Sequence, residues 1–298
     1  MNFNKSFYRK VLGTLCIVVS VAVSFTYFIT QRFGKNNSVE NFDYVNGNYV
    51  EFINVGQGDC ALIASKGKYC LIDTGTAESY PKIKKELDGK GIKNIDIIII
   101  SHFHADHTGS LQGIVNNYNV ANLIFPPEYP DTTVSNDVLY AKKECIAEDG
   151  EFYVAKTGQR IEIGDFELTV LLQTGDFSEE NNRSLCIMAK IFDKKFFFTG
   201  DAEMSEESLL LEQGYNIDCD VLKVPHHGGR TSSTQKFLDE CKPEYAVISC
   251  AAKNQYSHPH KETLKRLKKA KTKIYYTKNK GSVTFVYDNN KLSVITEK

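Results

Sequence analysis

The chain has 298 residues, 42% of them hydrophobic, and its 36 Lys and Arg nearly balance its 37 Asp and Glu. A chain this long and this apolar can bury a sizeable core, which excludes disorder over most of it. The balanced charge excludes the global basic field that marks a nucleic-acid binder, so a polyanionic partner has to be argued locally.

The first predicted element is a membrane segment. Lys5, Arg9 and Lys10, within the cytoplasmic stretch 1–10, precede a mostly apolar run over 11–30 that is long enough to span a bilayer. A cleaved signal ends in small residues, whereas Phe25-Thr26-Tyr27-Phe28-Ile29 is bulky, so the pattern predicts an uncleaved transmembrane anchor. The basic residues ahead of the span put the remainder outside the cytoplasm; cleavage to a secreted form is the alternative. The polar stretch 31–48 reads as a linker, and a hydrolase domain fills 49–298.

Within that domain, alternation predicts strands at 49–55, 60–64 and 68–72, with turns at Gly56, Gly58 and Gly67. A helix at 80–89 leads to a buried strand at 95–100, and another helix follows from Gly109. Residues 128–151 form a polar insertion with no assigned element. Strands at 161–170, 184–192, 195–199, 221–224 and 245–249 alternate with helices at 205–213 and 234–241. Strands of mixed direction with helices outside predict an α/β fold of two mixed β-sheets between helical layers, a four-layer αββα sandwich. Near the C-terminus, Lys261, Lys265, Arg266, Lys268 and Lys269 surround Leu264 and Leu267, as on a helix with a solvated basic face. Seven of the eight cysteines lie beyond the anchor, an odd number for disulfides, and none has C-x-x-C spacing. Cys60, Cys70, Cys186 and Cys250 stand among apolar neighbours and read as small buried hydrophobes.

Chemistry concentrates at the ends of apolar strands. The run Ile97-Ile98-Ile99-Ile100 leads into Ser101-His102-Phe103-His104-Ala105-Asp106-His107, three imidazoles and a carboxylate on one loop. Such a donor set suits zinc, manganese or iron. His102 and His104, two apart, share one side of an extended loop, while Asp106 and His107 can turn to a second position, which suggests two metals. Asp201 ends the strand Phe196-Phe197-Phe198-Thr199-Gly200, where a carboxylate needs a cation, or else it caps the next helix. His226-His227-Gly228-Gly229 ends a third strand, and at least one of its imidazoles should be a ligand.

Taken together, His102-x-His104-x-Asp106-His107, Thr199-Gly200-Asp201 and His226-His227-Gly228 resemble the metallo-β-lactamase superfamily. Asn54-Val55-Gly56-Gln57-Gly58-Asp59, Leu71-Ile72-Asp73-Thr74-Gly75, Asn181-Asn182-Arg183-Ser184-Leu185 and Ser257-His258-Pro259 resemble, more narrowly, the metallo-β-lactamase-like domain of ComEC-type competence proteins. The resemblance implies an αββα fold, two divalent metal ions (Zn or Mn), and phosphodiester hydrolysis linked to DNA uptake, by water activated between the ions. It implies that His102 and His104 hold the first metal, that Asp106, His107 and one of His226 or His227, with His226 preferred, hold the second, and that Asp201 bridges. Asn181 stands where the superfamily usually has a histidine, which implies a weaker metal site. Asp73 and Asp59 are expected behind ligand imidazoles, with His227 either there or against substrate. Asp106 is expected to orient the attacking water, and His258 to stabilise the developing charge on phosphorus or to protonate the leaving oxygen. Lys223, Thr231, Ser232 and Ser233 are expected to contact substrate.

A single apolar stretch cannot conduct DNA, so the expected partners are nucleic acid or another phosphodiester, the membrane through the anchor, and a separate DNA-channel protein. Two other classes stay open. One is hydrolysis of a different bond, such as a phosphorylcholine ester or a lactone; the other is a non-catalytic binding module.

Overall fold

Parallel neighbouring strands need long crossovers, whereas antiparallel ones close through tight turns, and this chain uses both in each of two sheets. The computed structural model describes residues 42–128, 132–171 and 179–298, and Asp43–Lys298 form one unit. The expected anchor at 11–30 and all but the last residues of the linker lie outside the described residues. Among the described residues, no helix is long and apolar enough to cross a membrane.

The first sheet runs in the order Lys291–Thr296, Val283–Asp288, Asn48–Phe52, Ala61–Ser65, Lys68–Ile72, Ile97–Ile99, Asn122–Phe125, Glu151–Val154. Its pairing is antiparallel as far as Lys68–Ile72 and parallel beyond. The second sheet runs Lys273–Tyr276, Tyr245–Ile248, Val221–Lys223, Lys194–Phe198, Cys186–Ile191, Phe166–Leu171, Arg160–Ile163. Here the first three pairs are parallel and the rest antiparallel. The parallel crossovers carry the helices Tyr80–Gly89 and Asn136–Ala147 on the first sheet, and Met204–Glu212, Gln235–Cys241 and Lys261–Lys269 on the second.

The two sheets face each other across one apolar core that includes Phe52, Val170, Phe196, Phe198 and Phe285. Phe52 and Phe198, from opposite sheets, stack with ring centroids 5.7 Å apart. The opposite face of the second sheet buries Phe197 and Leu222 against Leu210, Phe237, Leu238 and Leu267 of its helices. The loops carrying His102–His107, Asp201 and His226–His227 follow the strands Ile97–Ile99, Lys194–Phe198 and Val221–Lys223, one from the first sheet and two from the second.

The α/β architecture with two mixed sheets is the one expected. Some boundaries differ for local reasons. The expected strand at 161–170 is a hairpin, because Gly164 takes φ 59° and turns the chain. The insertion at 128–151 contains the helix Asn136–Ala147, whose N-cap Ser135 accepts from Val138 N and which buries Val138, Ala141 and Cys145. Two C-terminal strands absent from the sequence reading, Val283–Asp288 and Lys291–Thr296, form a hairpin turning at Asn289 and Asn290 with φ 49° and 59°. Cys60, Cys70, Cys145, Cys186, Cys219, Cys241 and Cys250 are all free and buried, as read for four of them.

One buried acid gives the fold a pH dependence. Glu207 is fully buried, and its carboxyl accepts the backbone N–H groups of Ser233 and, at 2.8 Å, Thr234. Burial pushes its pKa from 4.5 up to about 7. A raised carboxyl pKa means that the folded state keeps a proton the unfolded chain has already released. Stability from this group is thus present below pH 4.5 and lost as pH rises through 7, by about 3 kcal/mol at most. Urea midpoints from pH 4.5 to 8 should fall more steeply for the wild type than for Glu207→Gln; parallel profiles would remove Glu207 as the source.

Candidate metal centre

The His loop begins where Ile97–Ile99 ends, and Asp73 from the neighbouring strand end organises it. Asp73 Oδ1 accepts Ser101 N (2.7 Å), and Oδ2 accepts Ser101 Oγ and His107 Nδ1 (both 2.8 Å). In the neutral ring, with Nδ1 donating, His107 leaves Nε2 as an acceptor able to ligate a cation, 3.3 Å from Asp201 Oδ1 and 3.9 Å from Asp106 Oδ1. His227 is arranged the same way. Its Nδ1 donates to Ser249 O at 3.0 Å, with Asp59 Oδ1 at 3.3 Å, and its Nε2 lies 3.2 Å from Asp106 Oδ2 and 3.4 Å from Asp201 Oδ2. His102 Nε2 sits 3.1 Å from His104 Nδ1, and His102 also groups with His107 and Asp201.

Asp201 reaches this point because Gly200 takes φ 49° under close contact: a Cβ there would lie 2.8 Å from Ser184 Oγ and 2.9 Å from Ser101 Cβ. Ser184 Oγ in turn accepts Asp201 N at 3.1 Å.

The donor set fits a divalent metal. Among the described residues, buried His107 Nε2, His227 Nε2 and Asp201 Oδ1 have no hydrogen-bond partner. Leaving three such atoms unsatisfied would cost several kcal/mol, on the order of 1–3 each. A cation among imidazole nitrogens and carboxylate oxygens satisfies all of them. Electrostatics agree with this convergence. Burial opposes charge on His107 and His227, yet Asp201, with Asp73 beside the first and Asp59 beside the second, outweighs it and holds both pKa values well above the ordinary range. Burial likewise opposes charge on Asp201 and Asp106, but His107 and His227 hold both well below the usual carboxylate range.

Several expected roles need correction. Of the histidine pair, His227 and not the preferred His226 comes to Asp106 and Asp201. His226 and His227 take φ 49° and 51°, and this left-handed pair turns the two rings apart. His226 instead places Nδ1 3.0 Å from Glu203 Oε1, and its Nε2 lies 3.5 Å from Asn181 Nδ2. Lys223, expected at substrate, is buried with Nζ 2.6 Å from Asp59 Oδ2. Ser232 and Ser233 are fully buried, the former donating Oγ to Pro225 O and Gly229 O. Thr231 is exposed but donates to Glu203 Oε1 at 2.6 Å. His258 is buried beside the cluster, its ring centroid 5.2 Å from that of His226 and 6.0 Å from that of His227. Asn254 fixes it, accepting His258 N at 2.8 Å and donating to His258 O at 2.9 Å. Burial, then His227 and His226, push its pKa down to about 4, so the ring is neutral at pH 7. The sequence reading missed Ser101, Ser184, Ser249 and Glu203; the first two stand inside the motifs that were read.

A family model described as "Metallo-beta-lactamase superfamily" matches residues 53–252. The chain belongs to the metallo-β-lactamase superfamily. It is 30% identical over 260 residues to ComE operon protein 3 of Bacillus subtilis, covering 80% of this chain and 33% of that protein. It is 28% identical over 232 residues to competence protein ComA of Neisseria gonorrhoeae, covering 77% and 31%. The chain thus spans about a third of the length of these relatives. Endoribonuclease ysh1 of Schizosaccharomyces pombe is 26% identical over 175 residues, covering 53% and 23%. Among solved structures, the metallo-β-lactamase fold protein YhfI from Bacillus subtilis shares the fold, with TM-score 0.51 at 13% identity, covering 76% of this chain and 96% of that one.

Within this superfamily fold, Asn181 lies at the rim beside His226, its Oδ1 buried and without a hydrogen-bond partner. The basic helix forms as Lys261–Lys269, but Arg266 is not on a free face. Its guanidinium donates to the carbonyls of Ser233 (2.7 Å), Ser232 (2.7 Å) and Arg230 (3.0 Å), clamping the loop after the histidine pair.

Proposed function

We propose that this metallo-β-lactamase domain is a metal-dependent phosphodiesterase acting on nucleic acid, and that it holds two divalent ions. The observation that carries the reading is the convergence of His107 Nε2, His227 Nε2 and Asp201 Oδ1, buried and without hydrogen-bond partners, at one rim. The competence proteins and the endoribonuclease among the relatives favour a phosphodiester over other bonds.

His102, His104, His107, Asp106, His227 and Asp201 would hold the ions. Bound divalent ions would acidify water and neutralise phosphate charge. The chain does the rest. Asp106, ionised and partly exposed at the cleft, accepts a hydrogen bond from an attacking water and so aims it. Asp73 and the Ser249 carbonyl keep His107 and His227 in the tautomer whose Nε2 faces inward, with the Asp59 carboxylate beside the second ring. Neutral His258 stands beside the cluster as a hydrogen-bond donor to a phosphoryl or leaving oxygen. In the cell, we place the domain outside the cytoplasm on the N-terminal anchor, beside a separate DNA-channel protein.

The test is hydrolysis of single-stranded DNA and of bis-p-nitrophenyl phosphate by the full chain with manganese or zinc. Activity on both is expected, with loss on chelation and a drop of about 100-fold for His258→Ala. Cleavage of the small ester alone would move the substrate to a non-nucleic-acid diester. Bound metal without either activity would overturn the phosphodiesterase reading.

A further inference from the structure

We infer that Lys223 is a positioning residue of the metal centre: through Asp59 it fixes the ring of His227 with Nε2 toward Asp106 and Asp201. The inference rests on the metal-dependent reading above. Lys223 ends the strand Val221–Lys223 and is 4% exposed. A lysine is almost never buried this deeply unless paired, because the ammonium loses its hydration. Its Nζ has a carboxylate partner, Asp59 Oδ2 at 2.6 Å, and also donates to Val224 O at 2.8 Å. The other oxygen of Asp59 lies 3.3 Å from His227 Nδ1, whose N–H is donated to Ser249 O at 3.0 Å, so the carboxylate sets its charge beside a hydrogen bond that a backbone carbonyl accepts.

Asp59 is also tied to the His loop through its backbone. Its N–H donates to Asp106 O at 3.1 Å, and its carbonyl accepts Gly75 N at 2.7 Å. One residue thus spans the two sheets beneath the centre: the cation comes from the second sheet, and the Asp106 loop comes from the first. A buried ion pair contributes little net stability compared with apolar side chains of the same volume. What Lys223 supplies that a methionine could not is a cation that holds the Asp59 carboxylate in place beside His227 Nδ1, and with it the tilt of the His227 ring.

Zinc and manganese affinities of the full chain are to be measured by competition with a chelating indicator, with metal-free thermal unfolding alongside. For Lys223→Met and Asp59→Asn, one metal equivalent should weaken by about 10- to 100-fold, and the double variant should be no worse than either single one. Zinc-loaded ¹⁵N-histidine spectra should show the His227 Nδ1–H resonance shifted in both, because the carboxylate beside it is displaced or neutralised. Asp59→Asn keeps the side-chain shape and decides the matter if Lys223→Met does not fold. Wild-type affinity in the variants, or a loss confined to metal-free thermal stability, overturns the positioning role alone. A wild-type chain that binds no metal overturns this inference together with the function it rests on.

Discussion

Replacing Asp201 with Asn is expected to lower kcat/KM for phosphodiester hydrolysis by about 100-fold or more, about 2.7 kcal/mol of transition-state stabilisation, while the fold persists. Asp201 is the carboxylate that faces both inward-pointing imidazoles, with Oδ1 3.3 Å from His107 Nε2 and Oδ2 3.4 Å from His227 Nε2. An amide matches its shape and the hydrogen bond from Asp201 N to Ser184 is a backbone one, so the local structure survives. What disappears is the negative charge at the shared point, and the amide nitrogen that replaces one oxygen has no lone pair with which to ligate a cation. Metal content should fall in parallel with activity. A variant with wild-type activity and full metal content would remove Asp201 from the centre.

The second large effect is structural. Phe285→Ala is expected to destabilise the domain by about 3–5 kcal/mol, a large share of the 5–15 kcal/mol typical of a whole domain. Phe285 is fully buried and its ring meets Phe52 at 6.0 Å, Phe196 at 5.9 Å, Tyr245 at 5.5 Å and Tyr275 at 6.2 Å. Those partners come from both sheets, so no single strand can shift to fill the hole. The measurement is urea unfolding at fixed pH; a loss below about 1 kcal/mol would mean that the sandwich collapses onto the cavity far more easily than packed cores do.

Phe285 also marks a limit of what the sequence discloses. Its strand was missed because the segment after residue 250 is dense in lysine, which masks a run, Val283 to Tyr287, that is buried from both faces. The turn signal was present: Asn289 and Asn290 both take positive φ, a conformation asparagine tolerates, and two such residues between apolar runs make a hairpin. The helix in the insertion had a signal as well, Ser135 before Val138, Ala141 and Cys145, but its exposed Leu139 and Ile146 blur the amphipathic pattern. The His loop was legible because all its donors lie within six residues after a strand, so local spacing determines which can converge. His226 and His227 could not be separated in that way. Their ring directions follow from two consecutive left-handed backbone angles, held by the Gly200 carbonyl, which accepts His226 N, and the Ser249 carbonyl, which accepts His227 Nδ1, both from distant parts of the chain. Lys223 was misread for a related reason. A lysine beside an active-site motif looks like a substrate contact until the partner across the sandwich, Asp59, is seen.

The seven buried thiols have a practical consequence. They are spread through the domain, with Cys60 just ahead of a strand of the first sheet and Cys70 within one, Cys145 on the buried face of the inserted helix, and Cys186, Cys219, Cys241 and Cys250 around the second sheet and its helices. Burial raises the pKa of Cys60, Cys70, Cys145, Cys186, Cys241 and Cys250, which keeps the reactive thiolate scarce as well as hidden. Each is therefore a native clock for the opening of its own neighbourhood. Alkylated with a mass-labelled reagent and read peptide by peptide, the chain would report which layer breathes first, with no residue added or changed.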